Sequence, residues 1–472
     1  MPIIFYLCNL RNLRLRLFAR ETSVALPFYI VTLTHPAWEA AVACARSLPD
    51  DALPELRLDL FPEHDAAQLV RDLGGRCLVS CRRASEYGRF VGDEESRLAG
   101  LRKAAEAGAS WVDLEWELEL PPWLISLRPD LKMLRSVHVC PSVFDLEGRM
   151  ESLPDGDAFK WVGHAAQLSD NARLSASLHR AKEAGVILSA FLMGPKGVAS
   201  RCLQRAWGGA FTYAAPDDGV AAAPGQVRLS TMKKWSCHLV TEQTGLCAVM
   251  GEPVLHSRGP AFHNLRFLQA NKDLIYLPLE CGDVEEAAEA LDSLNVLGLS
   301  ITAPLKESLP AHLGLKGPLN TLLRRKVNDP WKGANTDAEA LWVALEQLPP
   351  GPILVLGDGG VAESSRLLLE QESRPFMQIS RKALAQPEAV RTFAPIGVIQ
   401  ATSLGMKAGD PMPFPEQLEA AKPTLRWAVE WIYKEPTAFS KWAQETGLDL
   451  VEGTVLFESQ AMAQSQRFME LC

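Results

Sequence analysis

Lys306 and Asp337 are the first candidates for chemistry in this sequence. Residues 297–301 form a short apolar run typical of a buried strand, and Pro304 ends strand pairing because proline has no N–H to donate. Lys306 is therefore expected just past a strand end, over a cleft. Asp337 follows a glycine and Ala-Asn-Thr, a helix-start signal in which Asp337 can cap the helix. A lysine and an aspartate aimed at one cleft can share a proton, which suits acid/base chemistry on a hydroxyl.

A second lysine, Lys160, lies inside the apolar run Ala-Phe-Lys-Trp-Val at residues 158–162. Burial there would lower the pKa of the ammonium and make the amine a nucleophile toward a ketone. The alternative is a lysine whose charged end reaches water at the end of a strand. Charged side chains also stand in or after neighbouring apolar runs: Glu55, Arg57, Arg82, Glu86 and His138.

The first half of the chain alternates short apolar runs with helical stretches. Eight of these runs are predicted to be strands: 29–33, 56–60, 77–81, 111–115, 131–138, 159–162, 186–192 and 209–213. Eight such units in about 200 residues predict a closed parallel α/β barrel, with its chemistry at the C-terminal ends of the strands.

The second half contains a dinucleotide-binding fingerprint. A predicted strand at 352–356 leads into Gly-Asp-Gly-Gly-Val-Ala and a helix at 363–370, which would place a pyrophosphate on the helix N-terminus. Asp358 inside this turn must point away from the phosphates. The next strand, 376–379, ends in basic residues that suit a 2′-phosphate, so NADP is predicted rather than NAD. The predicted cofactor contacts are Gly357, Gly359, Gly360, Val361, Ala362, Ser380, Arg381 and Lys382.

Composition excludes several classes of function. The chain has 472 residues, enough for two to four domains. Its net charge of −9 and the lack of a basic cluster with interleaved aromatics give no support to nucleic-acid binding. No apolar run approaches the roughly 18 residues that a membrane span needs. The 10 cysteines are scattered without a CxxC pair, as expected for reduced thiols of an intracellular protein.

Residues 1–27 are rich in arginine, and the segment contains no acidic residue before Glu21. Such a segment is either a transit peptide or an over-extended start. A cytoplasmic location is expected, and a plastid location would follow from a transit peptide.

Six short motifs between residue 28 and about residue 229 resemble, in order, those of the type I (Schiff-base) 3-dehydroquinate dehydratases: Glu55-Leu-Arg57-Leu-Asp59, Cys81-Arg82-Arg-Ala-Ser-Glu86, Ser136-Val-His138, Phe159-Lys160, Ser200-Arg201 and Ala223-Pro-Gly-Gln226. The resemblance implies that Lys160 forms an imine with the substrate ketone, that His138 moves the proton, and that Glu86 orients His138. Arg201 would bind the substrate carboxylate. The ring hydroxyls would be held by Glu55, Arg57, Arg82 and Gln226. One family serine is replaced by Ala222.

From about Cys247 to its end the chain resembles the shikimate dehydrogenases. The motifs are His-Ser257-x-Gly259-Pro with His263-Asn264, Thr302-x-Pro-x-Lys306, Asn320-Thr, Gly-x-Asn335-Thr-Asp337, Gln400-Ala-Thr402-x-x-Gly405-Met406, Glu430-x-x-Tyr433 and Gln460-Ala. The resemblance implies that Lys306 and Asp337 are catalytic. The implied substrate contacts are Ser257, Thr302, Asn320, Asn335, Tyr433 and Gln460, and the further cofactor contacts are Thr402, Gly405 and Met406. Departures from the family pattern occur at Gly259, Ser300 and Gln400.

The predicted domain order is an N-terminal extension, a barrel, a substrate domain and an NADP domain. The ranges are 1–27; 28–235; 244–338 with a returning C-terminal helix at 456–472; and 339–455. The fold class is α/β: a (β/α)8 barrel followed by a two-domain dehydrogenase with an α/β substrate domain and a Rossmann-like domain. No metal is expected in either site, because His256 and His263 have no third ligand nearby.

The two resemblances together imply an enzyme of the shikimate pathway that makes aromatic amino acid precursors. Its first half would be a lyase that dehydrates 3-dehydroquinate, and its second half an NADP-dependent oxidoreductase that reduces 3-dehydroshikimate to shikimate. One alternative is a quinate or shikimate dehydrogenase working in the oxidative direction. Another is a ligand-sensing homologue without catalysis. Small-molecule substrates are the expected partners, and the sequence leaves the oligomeric state open, a monomer included.

Overall fold

The structure, a computed structural model, describes residues 26–127, 130–140, 143–407, 409–433 and 436–471. It divides into two compact units. The first comprises the chain up to His164, Ser177–Phe191 and Trp207–Leu229. The second comprises Ala165–Ala176, Leu192–Ala206 and Ser230–Cys472. The transit-peptide hypothesis concerns residues 1–27, of which 1–25 lie outside the described residues.

The first sheet contains eight parallel strands. They are β1 (Tyr29–Thr32), β2 (Ala52–Arg57), β3 (Leu78–Ser80), β4 (Trp111–Glu115), β5 (Lys132–Cys140), β6 (Ala158–His164), β7 (Leu188–Met193) and β8 (Thr212–Ala214). Their order is β7-β6-β5-β4-β3-β2-β1-β8. Between the two outer strands, the Ala210 N–H donates to the Leu188 carbonyl at 2.9 Å, and the Ser189 hydroxyl donates to the Phe211 carbonyl. The sheet is therefore a nearly closed barrel, which confirms the predicted fold class.

Helices follow most of these strands. They are α1 (Trp38–Ser47), α2 (Ala66–Asp72), α3 (Glu94–Glu106), α4 (Pro122–Leu127), α5 (Phe144–Met150), α6 (Asp170–Glu183), α7 (Val198–Cys202) and α8 (Leu229–Lys234). Local capping starts α2 and α3, because the Asp65 carboxylate accepts the Gln68 N–H and the Asp93 carboxylate accepts the Ser96 N–H.

The predicted bounds of β2 were wrong. The strand ends at Arg57, and Leu58–Leu60 form a 3-10 turn. The Arg57 guanidinium makes two hydrogen bonds to the Asp59 carboxylate, at 2.8 and 2.6 Å. Asp59 also accepts the backbone N–H of Arg82, so this carboxylate holds the chain in a turn instead of a continued strand.

The second unit contains a five-stranded mixed sheet. Its strands are β9 (Gly245–Gly251), β10 (Leu274–Glu280), β11 (Val296–Ile301), β12 (Thr321–Leu323) and β13 (Lys332–Ala334), in the order β10-β9-β11-β12-β13. The first three are parallel, and β12 and β13 are antiparallel to their neighbours. The accompanying helices are α9 (Gly259–Gln269), α10 (Val284–Ser293), α11 (Leu305–His312) and α12 (Thr336–Leu345).

A third sheet, in the same unit, is entirely parallel and Rossmann-like. Its strands are β14 (Ile353–Leu356), β15 (Phe376–Ile379), β16 (Gly397–Gln400), β17 (Trp427–Glu430) and β18 (Asp449–Val451), in the order β15-β14-β16-β17-β18. Its helices are α13 (Gly360–Gln371), α14 (Pro387–Phe393), α15 (Pro415–Ala421) and α16 (Ala438–Thr446). The last helix, α17 (Gly453–Met469), packs on α9 and α12 beside the mixed sheet. None of the described helices is long and apolar enough to cross a bilayer.

Candidate active sites

Lys160 lies at the centre of a buried polar cluster inside the barrel. It is on β6 opposite Ser136 of β5, and only 2% of its side chain is exposed. Its Nζ donates to Asp113 Oδ2 at 3.0 Å and to the Tyr213 hydroxyl at 3.1 Å. Burial lowers the pKa of Lys160, and the nearby Arg82 adds to this shift. The amine is thus pushed toward the neutral, nucleophilic form.

Asp113, on β4, is the anion of this cluster. It accepts hydrogen bonds from Lys160, from the Arg82 guanidinium at 2.7 Å and from the Ser136 hydroxyl. Burial alone would raise the pKa of Asp113, but Arg82 and Lys160 outweigh burial and lower it to about 2. Asp113 therefore stays ionised and fixes both cations.

His138 and Glu86 form a pair next to this cluster. His138 Nδ1 is 2.9 Å from Glu86 Oε2 and 3.0 Å from Arg82 Nη1. Burial, Arg82 and Lys160 hold the pKa of His138 well below its usual value, so the imidazole is neutral. Burial also raises the pKa of Glu86 to about 7.

The Nδ1 atom of His138 can make a well-formed hydrogen bond to only one of its two neighbours, Glu86 or Arg82. If Nδ1 carries the proton, it donates to Glu86 and leaves Nε2 as a free base. If Nδ1 accepts from Arg82, the contact to Glu86 requires a protonated carboxyl. The first arrangement provides a base that Glu86 orients, as predicted from the sequence.

The remaining predicted contacts of the barrel are placed as follows. Glu55 accepts hydrogen bonds from the Thr32 hydroxyl at 2.7 Å and the Ser80 hydroxyl at 3.0 Å. The Arg57 guanidinium donates two hydrogen bonds to the Asp59 carboxylate. Gln226 accepts the Ala222 N–H at 2.7 Å, at the position where the family has a serine. Arg201, on α7, belongs to the second unit and is buried, and burial lowers its pKa to about 10.

Three residues of the Lys160 cluster carry no role in the sequence prediction: Asp113, Ser136 and Tyr213. The sequence contains a feature that could have identified Asp113: it is a carboxylate inside the apolar run Trp-Val-Asp-Leu at 111–114, just as Lys160 is an amine inside an apolar run. Burial raises the pKa of Tyr213 well above its usual value, so this phenol remains a neutral hydrogen-bonding group.

The second candidate site brings Lys306 and Asp337 together. The Lys306 Nζ donates to Asp337 Oδ2 at 2.6 Å. Lys306 lies in the first turn of α11 rather than in a loop after β11. The prediction that Asp337 caps α12 was wrong, because the Asn335 side chain accepts the Ala338 N–H and Asp337 lies inside the first turn. Asp337 is thereby free of the cap and faces the lysine.

Asn320 and Thr336 organise the polar floor of this site. The Asn320 amide donates to the Thr336 hydroxyl at 2.9 Å and accepts the Thr336 N–H at 2.9 Å. The Thr336 hydroxyl also lies 3.3 Å from Gln460 of α17. Ser300, where the family has asparagine, donates to Gln464 of α17 at 2.9 Å. The serine hydroxyl therefore has a hydrogen-bond partner on the neighbouring helix.

Gly259 is the departure with a clear steric consequence. The Ser257 hydroxyl accepts the Gly259 N–H at 3.1 Å. A Cβ at Gly259 would lie 3.1 Å from the ring of Tyr276 and 3.2 Å from the Ser257 hydroxyl. The family's second serine would therefore require Tyr276 to move by a few tenths of an ångström.

Of the other predicted substrate contacts, Tyr433 is fixed and Thr302 is exposed. The Tyr433 ring is 4.8 Å from that of Phe457, and burial raises its pKa. Thr302 lies on the surface between β11 and α11. His263 is buried, bonded to the Ser465 hydroxyl at 2.7 Å and packed 4.2 Å from Tyr276, which gives it a structural environment.

The predicted cofactor loop joins β14 to α13. Gly357 has a positive φ of 116°, and a Cβ there would lie 2.8 Å from the Ala401 carbonyl. At Gly360 a Cβ would lie 3.1 Å from the Lys306 side chain, so this helix start lies against Lys306. The Asp358 carboxylate lies 3.7 Å from the Lys382 ammonium, and its orientation away from the phosphates stays a prediction. Ala362 is buried.

Two further loops complete this edge of the sheet. After β15 the Ser380 hydroxyl accepts the Lys382 and Ala383 N–H groups, each at 3.2 Å. After β16 the Gln400 side chain accepts the Thr402 N–H and donates to the Leu404 carbonyl. Gln400 therefore shapes the turn that carries the remaining predicted cofactor contacts: Thr402, Gly405 and Met406.

Comparisons with known proteins support the family predicted for each half of the chain. Residues 29–236 match the type I 3-dehydroquinase family, and residues 249–316 match the shikimate dehydrogenase substrate binding domain. The 3-dehydroquinate dehydratase of Dehalococcoides mccartyi is 35% identical over 187 residues, which covers 38% of this chain and 83% of that protein.

The full chain also has fused relatives. The bifunctional 3-dehydroquinate dehydratase/shikimate dehydrogenase of Arabidopsis thaliana, a chloroplastic protein, is 26% identical, over 89% of this chain and 78% of its own length. The structure of the dehydroquinate dehydratase and shikimate dehydrogenase from S. pombe covers 95% of this chain and 96% of its own, with 19% identity and a TM-score of 0.39. The chain thus belongs to the type I 3-dehydroquinase family, which are lyases, and carries in the same polypeptide the substrate-binding domain of a shikimate dehydrogenase, an oxidoreductase.

Proposed function

We propose that the chain catalyses two consecutive reactions: Lys160 dehydrates 3-dehydroquinate to 3-dehydroshikimate through an imine, and the second half reduces that ketone to shikimate with NADPH. The observation that carries the proposal is the buried Lys160, held 3.0 Å from Asp113, with a lowered pKa and a neutral His138 nearby. The product of the first reaction is the substrate of the second, so the pairing is chemically coherent.

The dehydration uses Lys160 and His138 in turn. The Lys160 amine adds to the substrate ketone, and loss of one water gives an imine that draws electrons from the neighbouring carbon. Neutral His138 removes the proton from that carbon and then returns it to the departing hydroxyl, which leaves as water. Water hydrolyses the imine and restores the amine, so the net change is the loss of one water. Glu86 orients His138 throughout.

The proposed substrate contacts of the first reaction are those that the family motifs imply. We assign the carboxylate to Arg201 and the ring hydroxyls to Glu55, Arg57, Arg82 and Gln226. Arg57 and Arg82 are already paired with Asp59 and Asp113, so they would act as fixed hydrogen-bond donors rather than as free charges.

The reduction relies on Lys306 and Asp337 for its proton. NADPH, when bound, supplies the hydride. The Lys306 ammonium, 2.6 Å from Asp337, is placed to give a proton to the oxygen that becomes the new hydroxyl, and Asp337 then holds the lysine in position. Ser257, Thr302, Asn320, Asn335, Tyr433 and Gln460 are the proposed contacts with the ring acid.

The loop after β14 fits a dinucleotide phosphate. Gly357 has no room for a side chain against the Ala401 carbonyl, and the N-terminus of the 12-residue α13 follows at Gly360. Arg381 and Lys382 are exposed beyond β15, where a 2′-phosphate would lie. This charge supports NADP over NAD.

We propose the domain division 28–235, 244–338 with 456–472, and 339–455, with residues 1–27 as an extension. The interaction of α17 with α9 and α12 supports the return of the C-terminal helix to the substrate domain. The substrates named above are the proposed partners. We propose a cytoplasmic location, or a plastid location if residues 1–27 are a transit peptide; the Arabidopsis thaliana relative is a chloroplastic protein.

Gly259 favours a second candidate function for the second half. Without the serine hydroxyl the site has one donor fewer for the ring carboxylate, which would suit a quinate or shikimate dehydrogenase working in the oxidative direction. Cofactor preference separates the two functions. A non-catalytic sensor would be expected to have lost one of Lys160, His138, Lys306 and Asp337, and all four are present.

The test mixes purified protein with 3-dehydroquinate and NADPH, and follows NADPH loss and shikimate formation. Shikimate is the expected product. With Lys160→Ala it should disappear, while reduction of added 3-dehydroshikimate continues. Accumulation of 3-dehydroshikimate with NADPH unchanged would overturn the proposed second reaction, and no turnover by folded protein would favour the sensor.

A further inference from the structure

Three side chains that neither proposed reaction uses lie together where the chain after β1 meets the segment after β8. His35 Nε2 is 2.9 Å from Asp218 Oδ1. One ligand atom from each of His35, Cys44 and Asp218 lies within 4.8 Å of the others. His35 and Cys44 are only 5% and 6% exposed, whereas Asp218 is open to solvent. Among the described residues, no other group of three His, Cys, Asp or Glu side chains has this spacing.

We propose that His35, Cys44 and Asp218 bind one divalent transition-metal ion of the zinc type, which fastens the segment after β8 to the start of α1. An imidazole nitrogen, a thiolate sulfur and a carboxylate oxygen form a donor set suited to zinc. Magnesium and calcium prefer oxygen ligands alone. Three protein ligands leave a fourth position for water, on the open side at Asp218.

The contact between His35 and Asp218 is one that the ion would replace. His35 Nε2 faces Asp218 Oδ1 at 2.9 Å, so Nε2 would bind the ion and the buried Nδ1 would carry the imidazole proton. Burial and the adjacent Asp218 raise the pKa of the Cys44 thiol to about 11. The thiol therefore carries its proton in metal-free protein, and the ion would replace that proton and release it to water.

The ion would add a strong link at a place where the structure already holds the two segments together. The Thr34 hydroxyl donates to the Val220 carbonyl at 2.6 Å. Gln226, a proposed substrate contact, lies eight residues beyond Asp218 in the same connection. The inferred site is therefore structural, separate from the imine chemistry, and stands whether or not the proposed reactions do.

The test is a Co²⁺ titration of the full-length protein after treatment with a chelator. Cobalt replaces zinc in such sites and gives a near-ultraviolet charge-transfer band when a thiolate binds it. We expect one Co²⁺ per chain with this band. Cys44→Ser should remove the band, and Asp218→Asn should weaken Co²⁺ binding by about 100-fold or more.

Two matched variants serve as controls, one for the carboxylate ligand and one for the thiol ligand. Asp217→Asn changes the adjacent exposed carboxylate, and Cys77→Ser changes another buried thiol of the same core. Both should keep the band and the affinity. If Cys44→Ser does not fold, the comparison of Asp218→Asn with Asp217→Asn still decides the matter.

Two outcomes would overturn the proposal. One is the absence of a charge-transfer band in the parent protein at saturating Co²⁺. The other is a band that persists with equal affinity in Cys44→Ser or Asp218→Asn, which would place the ion elsewhere. A rise in melting temperature with Zn²⁺ that Asp217→Asn keeps and Asp218→Asn loses would support it.

Discussion

The two candidate sites use the same pair of residues, a lysine bonded to an aspartate, in different surroundings. Lys160 and Asp113 are 3.0 Å apart with side chains 2% and 0% exposed. Lys306 and Asp337 are 2.6 Å apart with side chains 18% and 12% exposed. Burial lowers the pKa of Lys160 and favours a neutral nucleophile. The Lys306 pair keeps contact with water, which suits an ammonium that passes a proton on.

Their positions in the fold differ as well. Lys160 is on the barrel strand β6, and its two hydrogen-bond partners come from two other strands, Asp113 from β4 and Tyr213 from β8. Lys306 and Asp337 lie in the first turns of two helices, α11 and α12. A strand inside a barrel gives a dry, fixed position, whereas a helix start at a sheet edge leaves the side chain facing a cleft. The comparison teaches that the surroundings, more than the residue pair, select the chemistry.

Lys160→Ala is the strongest way to separate the two sites. We expect the dehydration rate to fall by about 10⁴-fold or more, because no other group can form the imine. Reduction of 3-dehydroshikimate should be unchanged, which serves as the internal control for folding. Treatment of the parent with borohydride and substrate should add the reduced ligand to Lys160, as mass spectrometry of peptides would show.

One result of the borohydride experiment would exclude the imine mechanism. A parent protein that turns over 3-dehydroquinate but gives no reduced adduct at Lys160 would exclude the imine, whatever the variant does.

Lys306→Ala and Asp337→Asn should give the reciprocal result in the second site. Each should lower the rate of reduction by about 10²- to 10⁴-fold, the usual contribution of a positioned acid or base. Dehydration should continue at the parent rate. Asp283→Ala is a useful comparison, since it removes the side-chain cap of α10 at a residue that has no proposed role in the site. Equal losses from all three variants would mean that Lys306 and Asp337 act only through the fold.

The sequence predicted that Lys306 meets Asp337 and that His138 meets Glu86, and the structure brings both pairs together, but the Asp113 partner of Lys160 was not predicted. Lys160, His138 and Glu86 were found because charged residues in apolar strands are unusual and because short motifs resembled a known family. The role of Asp113 was missed, because its contact with Lys160 depends on the register of β4, β5 and β6, which place Ser136 opposite Lys160. Register depends on the whole sheet and is not visible in one strand.

The error at Asp337 has a similar cause. Asn, Thr and Asp at 335–337 are all good helix caps, so local sequence cannot choose among them. The structure chooses Asn335 because Asp337 bonds a lysine 31 residues earlier in the chain. The end of β2 was misplaced for the same reason, since Asp59 is held by Arg57 and by the backbone of Arg82. Long-range polar contacts decided each case.

Burial predicts that the two aspartates differ in their effect on stability. Asp113→Asn should lower the free energy of unfolding by about 3–5 kcal/mol, because it leaves the buried Arg82 guanidinium and its neighbour Lys160 without the Asp113 carboxylate. Asp337→Asn should lower it by about 1 kcal/mol or less, since its pair is near the surface. Urea denaturation of both variants beside the parent measures the difference. Similar values would show that the Asp113 cluster is more hydrated than its burial indicates.

The neutral His138 predicts a pH dependence that only the barrel site should show. Its pKa lies well below the usual value of 6.5 in the folded protein, so the base form persists as pH falls. The acidic limb that His138 contributes to kcat/KM for dehydration should therefore lie below pH 6.5. Because the unfolded chain binds this proton more readily, His138 should also make stability fall as pH drops below 6.5. A pH-rate profile of the parent, with His138→Gln as the stability control, tests both. Glu86, whose pKa is raised to about 7, would set an acidic limb of its own, so the profile is also measured with Glu86→Gln. An acidic limb at or above pH 6.5 that persists in Glu86→Gln would contradict the neutral assignment.

Gly259 offers the finest comparison, because it tests a single hydroxyl in the more open site. Gly259→Ala and Gly259→Ser both place a Cβ 3.1 Å from the Tyr276 ring and should cost similar stability. Only the serine adds a donor for the ring carboxylate, and a hydrogen bond to a charged group contributes about 1.5–3 kcal/mol. Relative to alanine, the serine variant should therefore lower KM for 3-dehydroshikimate by about tenfold or more. If instead the two variants have equal KM values, the carboxylate does not reach this helix start. Faster turnover of quinate than of 3-dehydroshikimate by the parent protein would assign the second half to the oxidative reaction.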